Sequence, residues 1–121
     1  MATALNFNVV VRSSPQHVTA SLVDVEGEVD VLTSPRLKTA LVAVVDAGAT
    51  TVVINLDRVR YMDSTGLGVI VSATKRVREK DGSIVLTGLS PHLMKIFEIT
   101  GLRKVFDVYP TESDALKACF G

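Results

Sequence analysis

The sequence is short of the residues that usually advertise chemistry. Cysteine occurs once, at Cys119, so no internal disulfide can form. Tryptophan is absent, and four phenylalanines and two tyrosines are the whole aromatic complement. That leaves little for stacking platforms on single-stranded nucleic acid. Charge of one sign is also missing. Thirteen Lys+Arg balance thirteen Asp+Glu, so there is no bulk basic footprint for DNA or RNA. No apolar run approaches the ~20 residues of a membrane span. The leading stretch "MATALNFNVVVRSS" lacks the basic start and long apolar middle of a signal peptide. These absences argue against a disulfide scaffold, a membrane span and direct nucleic-acid binding. They favour a soluble cytoplasmic protein.

What is present is a core. Hydrophobic residues make up 47% of 121 residues, enough for one compact domain over residues 1–121. No linker, repeat or low-complexity tract divides the chain. Leu5, Phe7, Val9 and Val11 alternate as in a half-buried strand. A second strand is expected from His17 to about Gly27, forming a hairpin with the first across "SSPQ". Its parity changes midway: Val18, Ala20 and Leu22 share one face, then Val23 and Val25 the other. A bulge or burial on both faces would explain this.

Ser34 reads as a helix N-cap with Pro35 at the first helical position. Leu37, Leu41, Val44 and Val45 follow at helical spacing, and Gly48 supplies the stop. "TTVVINL" reads as a strand buried on both faces. A helix from about Ser64 to Lys80 is predicted, with an inner stripe of Leu67, Ile70, Val71, Thr74 and Val77. Lys75, Arg76, Arg78 and Lys80 suit its C-terminal dipole. "DGSIVLTGL" gives a turn and a strand. Ser90-Pro91 opens a short helix, "KVFDVY" is a last strand, and Thr111 to Asp114 is a capping-box start to a final helix. The order ββαβαβαβα predicts an α/β fold: a mainly parallel sheet with an N-terminal hairpin and about four helices.

One serine raises a functional question. Ser64 follows the central strand by a seven-residue loop and begins a helix, in "YMDSTGLGVI". Loops at strand carboxyl ends are where α/β proteins place function. The plain reading is a helix cap. A nucleophile is poorly supported, because Met62 stands where a G-x-S-x-G elbow needs glycine. Only His17 and His92 could act as base, and neither is placed to do so. A phosphate-binding loop fails too: Gly66 and Gly68 give G-x-G, but Val71 holds the third glycine's place. The two glycines have a plainer use, in letting a neighbour approach the helix start closely. Ser64 as a substrate for a kinase needs no base in this chain, and so fits the bare surroundings. No catalytic residue, metal site or cofactor is expected.

"YMDSTGLGVI", preceded by "VEGEVDVLTSPRLKTAL" and followed by "TGLRKVFDVYPTESDAL", resembles the anti-sigma factor antagonists of the STAS domain family. The likeness runs over nearly the whole chain. It implies a protein that binds an anti-sigma factor with serine kinase activity, releasing a sigma factor for transcription. It implies phosphorylation on the serine matching Ser64, and a serine phosphatase that reverses it. Asp30, ending Gly-Glu-Val-Asp, matches a position on the same partner-facing surface. Met62, Asp63, Ser64, Thr65 and Gly66 complete the expected contact set, with Met62 or Val69 as its apolar part and Leu67 in the core. Some relatives lack the serine and act as scaffolds or ligand sensors, which remains the alternative. A monomer or weak dimer is expected.

Overall fold

The computed structural model describes residues 7–121; the expectation for Leu5 lies outside them. β1 (Phe7–Ser13) and β2 (Ala20–Val29) form the hairpin. α1 (Ser34–Asp46), β3 (Thr51–Met62), α2 (Ser64–Arg78), β4 (Ser83–Thr87), α3 (Pro91–Ile99), β5 (Asp107–Tyr109) and α4 (Glu112–Phe120) follow. The single sheet has the order β1-β2-β3-β4-β5. Its first pair is antiparallel and the other three are parallel. This is the α/β order expected from the sequence.

The two sides of the sheet are covered unequally. Val23, Val25, Val52, Ile54 and Leu86 point into the main core with Leu37, Leu41 and Val45 of α1, Ile70 and Val77 of α2, and Leu93 and Phe97 of α3. Leu22, Val53 and Val85 point the other way, onto Ala115 of α4. Burial on both faces therefore accounts for the parity change within β2. Val18 is no part of it: the strand begins at Ala20, and Val18 is exposed in the turn before it. No helix among the described residues is long and apolar enough to cross a membrane.

Three local expectations need correction. Thr33, not Ser34, holds the cap position of α1, and Ser34 is its buried first residue. The Thr33 hydroxyl makes no cap bond; it donates to the Glu28 carbonyl (2.8 Å) and accepts from the Asp30 amide (2.9 Å). The last strand keeps only Asp107–Tyr109. Leu102–Lys104 wind into a 3-10 turn behind Gly101 at φ +80°, and Phe106 drops into the core. Helix α2 stops at Arg78, and Lys80 instead lies over the end of α1, near Asp46 (3.8 Å).

A fourth correction shapes the functional end. No seven-residue loop precedes Ser64, because β3 runs on to Met62. β4 pairs with β3 only as far as Asn55. Beyond that, β3 continues with β2 alone, as Glu26↔Arg58, Gly27↔Val59, Glu28↔Tyr61 and Val29↔Met62. The register shifts between Asp24 and Glu26 and again between Gly27 and Glu28, each time with one extra residue on β3. Such bulges bend a strand and increase its twist. The result is a parallel β2–β3 ribbon projecting past β4, flanked by β1 as far as Gly27, with α1 and α2 starting at its tip.

Ile70 anchors α2 to this frame and is fully buried. Ile70→Ala should cost about 2–5 kcal/mol in a urea titration, as large-to-small core changes do. The transition should stay cooperative, with an unchanged slope.

Candidate functional site

At the ribbon tip the two strand ends are tied together. The Asp63 amide donates to the Val29 carbonyl at 3.0 Å, so Asp30 and Asp63 leave the paired strands side by side. Each aspartate then organises the turn after it. One Asp30 carboxylate oxygen accepts from the Leu32 amide (2.9 Å), the Thr33 amide (3.1 Å) and the Thr33 hydroxyl (3.3 Å). Its carbonyl takes the Ser34 amide at 2.8 Å. This is an Asx-type turn that feeds α1.

Asp63 is the cap of α2. Its carboxylate accepts from the Thr65 amide (2.9 Å), the Gly66 amide (3.3 Å) and the Thr65 hydroxyl (2.5 Å). Ser64 is thus not the cap; it is the first residue of the helix and is exposed. Among the described residues its hydroxyl has no hydrogen-bond partner, whereas the neighbouring Thr65 hydroxyl is tied down. The chain offers a choice of capping side chains at this start. Aspartate wins because its carboxylate meets two amides at the positive end of the helix dipole.

Helix α2 can start this close to the ribbon only because residue 66 is glycine. A Cβ there would stand 2.6 Å from Val29 Cγ1 and 2.8 Å from Met62 Cγ. Gly68 is different. A Cβ at that position would meet nothing within 4 Å. It lies one turn beyond Ser64 on the same face of the helix, so bare backbone stands next to the free hydroxyl.

The residues expected at the site divide accordingly. Asp30, Asp63, Ser64 and Thr65 are brought together at the tip. Met62 is only 2% exposed and packs in the core, and Gly66 is buried beneath the helix start. Neither offers exposed side-chain surface in the free chain. Val69 is half-buried against the core, as is Leu67. The apolar surface at this end comes from residues the sequence reading passed over: Val31 and Leu32, 66% and 73% exposed on the Asp30 turn, and Tyr61 on β3. Their signal was two adjacent large aliphatics in a four-residue connection, where polar residues are usual.

The hydrogen bond from the Thr65 hydroxyl, more than those from the two amides, holds the Asp63 carboxyl below the usual carboxylate range, against a smaller opposing effect of desolvation. Among the described residues no group of three or more His, Cys, Asp or Glu side chains could hold a metal. His92 is exposed on α3, and His17 stacks on Phe120 of α4 with ring centroids 3.9 Å apart, so neither is a base for Ser64.

Fold and tip together define a small α/β domain that displays a helix start, with a free serine, at the end of a parallel ribbon. A family model for the STAS domain matches residues 9–115, and the chain belongs to that family. It is similar to the anti-sigma-B factor antagonist of Bacillus subtilis, 40% identical over 86% of this chain and 92% of that one. The anti-sigma-B factor antagonist of Listeria monocytogenes is 42% identical over 74% of this chain and 79% of its own. Among solved structures, an anti-sigma factor antagonist from Mycobacterium paratuberculosis superposes with a TM-score of 0.83 at 32% identity, covering 93% of this chain and 92% of its own.

Two measurements test this geometry. Gly66→Ala should destabilise the fold by about 1–3 kcal/mol, the usual cost of overpacking. Gly68→Ala should stabilise it by about 0.5–1 kcal/mol through helix propensity. Equal effects of the two changes in chemical denaturation would contradict the packing described. For Asp63, the folded value lies below the ordinary 3.8, so its stabilising contribution is complete above that pH. The contribution is lost as pH falls from there through the folded value. A carboxyl NMR titration should place the Asp63 midpoint below 3.8 and move it upward in Thr65→Ala.

Proposed function

We propose that this protein is an anti-sigma factor antagonist whose binding to an anti-sigma factor with serine kinase activity is switched off by phosphorylation of Ser64. The observation that carries this reading is the state of the Ser64 hydroxyl: exposed, without a hydrogen-bond partner among the described residues, and next to a threonine whose own hydroxyl is engaged by Asp63. The names of the relatives supply the class of partner. In the unphosphorylated form the tip meets the kinase through Ser64, the charge of Asp30 and Asp63, and the apolar pair Val31 and Leu32. Occupying the anti-sigma factor in this way releases a sigma factor for transcription.

The switch follows from charge. Transfer of the γ-phosphoryl group of ATP to Ser64 Oγ, with the hydroxyl proton passing to the kinase and ADP leaving, adds about −1.5 to −2 charges. The helix start tolerates an anion, since its dipole and N–H groups favour one. The bound kinase meets a dianion crowded by two aspartates where a small neutral hydroxyl had been. Like charges brought together in an interface cost several kcal/mol, or a hundredfold or more in affinity. A serine phosphatase acting on the same residue would restore the active form. The second reading, a scaffold or sensor that is never phosphorylated, draws support from how fully Asp30 and Asp63 are committed to local turns.

Intact-mass measurement after incubation with the kinase and Mg-ATP separates the two readings. One phosphate is expected on the wild type and none on Ser64→Ala, which should bind the kinase permanently. Phosphate mapped to Thr65 would overturn the assignment. Asp30→Asn keeps the oxygen that holds the turn while removing the charge. It should leave stability nearly unchanged and slow association with the kinase, more strongly at low salt. On phosphorylation, backbone amide shifts should change around Ser64 only; changes spread over β1 and β5 would mean the phosphate refolds the domain.

A further inference from the structure

β1 is the outer strand of the sheet, and its free edge has no partner among the described residues. Exposed edges of this kind are templates for pairing with another chain, and proteins ordinarily blunt them with proline, lysine, bulges or very short strands. β1 has no proline, lysine or bulge, and its one charged residue, Arg12, is held by Asp24 and Glu112. "FNVVVRS" runs seven residues in unbroken register with β2, from Phe7↔Gly27 to Ser13↔Ser21. Val10 and Val11, consecutive and so on opposite faces, are 45% and 47% exposed. Beside the strand, Val9 and Val11 line an open groove of about 430 Å3 whose far wall is Pro35, Arg36, Thr39 and Ala40.

We propose that this edge is the site of self-association. Two copies of the chain pair antiparallel through β1 about a two-fold axis at Val10, joining their sheets into one of ten strands.

The strand is its own complement in that register. Val10 faces Val10 of the second copy, Val9 faces Val11, and Phe7 faces Ser13. Asn8 faces Arg12, so no like charges are opposed. Cross-strand β-branched pairs of this kind stabilise antiparallel ladders. On the α1 side, Val9 and Val11 of both copies form one apolar row that closes over the two grooves. The cations near the edge are already occupied. Arg12 holds Asp24 through two bonds (2.6 and 3.0 Å) and Glu112 through a third (2.5 Å). Arg36 lies over the Phe7 ring, 5.1 Å from its centroid. Arg12 is thus neutralised by its carboxylates, while Arg36 keeps its charge at the groove wall. β1 is separated from β3, which leads to Ser64, by the whole of β2, so a dimer of this kind leaves both serines displayed. One strand pair with its flanking grooves is at the small end of specific interfaces. A dissociation constant on the order of 10–100 µM is therefore expected.

Sedimentation velocity on the full chain, from about 5 to about 500 µM so as to bracket that range, reads the association directly. The wild type should shift from monomer to dimer with concentration. Val10→Lys sets two lysines against each other across the axis, and should weaken association about a hundredfold, leaving monomer predominant across that range. Its circular dichroism should match wild type, since Val10 is half in solvent. Val10→Cys in a Cys119→Ser background should form a disulfide-linked dimer under mild oxidation, because directly opposed Cβ atoms on paired strands are close enough. A wild type that stays monomeric throughout, or a dimer that survives Val10→Lys, overturns the proposal. Dissociation by Val10→Lys without the cross-link overturns the register about Val10.

Discussion

The functional end of the molecule depends on one close approach. Helix α2 begins against Val29 and Met62 with no room for a Cβ at Gly66. That approach places the last amides of the ribbon beside the first turn of the helix, so that Asp63 can bond Val29 through its backbone and cap α2 through its side chain. Once Asp63 takes the cap, the hydroxyl of Ser64 is left without a hydrogen-bond partner among the described residues. The serine's availability is thus a consequence of backbone packing two residues away. A larger residue at 66 would disturb it without touching the serine.

The tip also shows how far the sequence could be read. Helix α1 was legible because proline, the apolar spacing of Leu37, Leu41, Val44 and Val45, and the glycine stop all agreed. The mainly parallel sheet followed from the alternation of strands and helices. The continuation of β3 was not legible, and the reason is specific. Its buried residues past Asn55 are Leu56, Val59 and Met62, three apart. A regular strand repeats every two residues, and each of the two bulges adds one. "DRVR" therefore looks like a polar loop although its backbone is paired. The same extension buries Met62, which an isolated reading of "YMDS" places at the surface.

The cap was misread for a related reason. In Asp-Ser-Thr-Gly each of the first three residues is an acceptable N-cap. Only the location of the first helical turn decides among them, and element boundaries are the least certain part of any reading from sequence. The same one-residue displacement occurs at α1, where Thr33 replaces Ser34. At α1 the shift has no chemical consequence, because Thr33 and Ser34 are both buried. At α2 it decides which hydroxyl is free.

Two glycines, two apart in sequence, divide the tip between stability and access. Gly66 is required by packing. Gly68 is not: open space surrounds it, and glycine in a helix interior lowers stability relative to alanine. Retaining it in the first turns of α2 weakens the helix where the free serine is displayed. On the proposed reading the compensation is room for a kinase to approach Ser64 Oγ across bare backbone. The aliphatic pair Val31 and Leu32 fits the same reading. Exposed on a turn that Asp30 fixes by hydrogen bonds, it adds nothing to the core, yet it is held in a defined position at little further entropic cost on binding. A rigid apolar contact beside a chargeable hydroxyl separates the two demands of a switch: the first supplies affinity in both states, and the second alone distinguishes them.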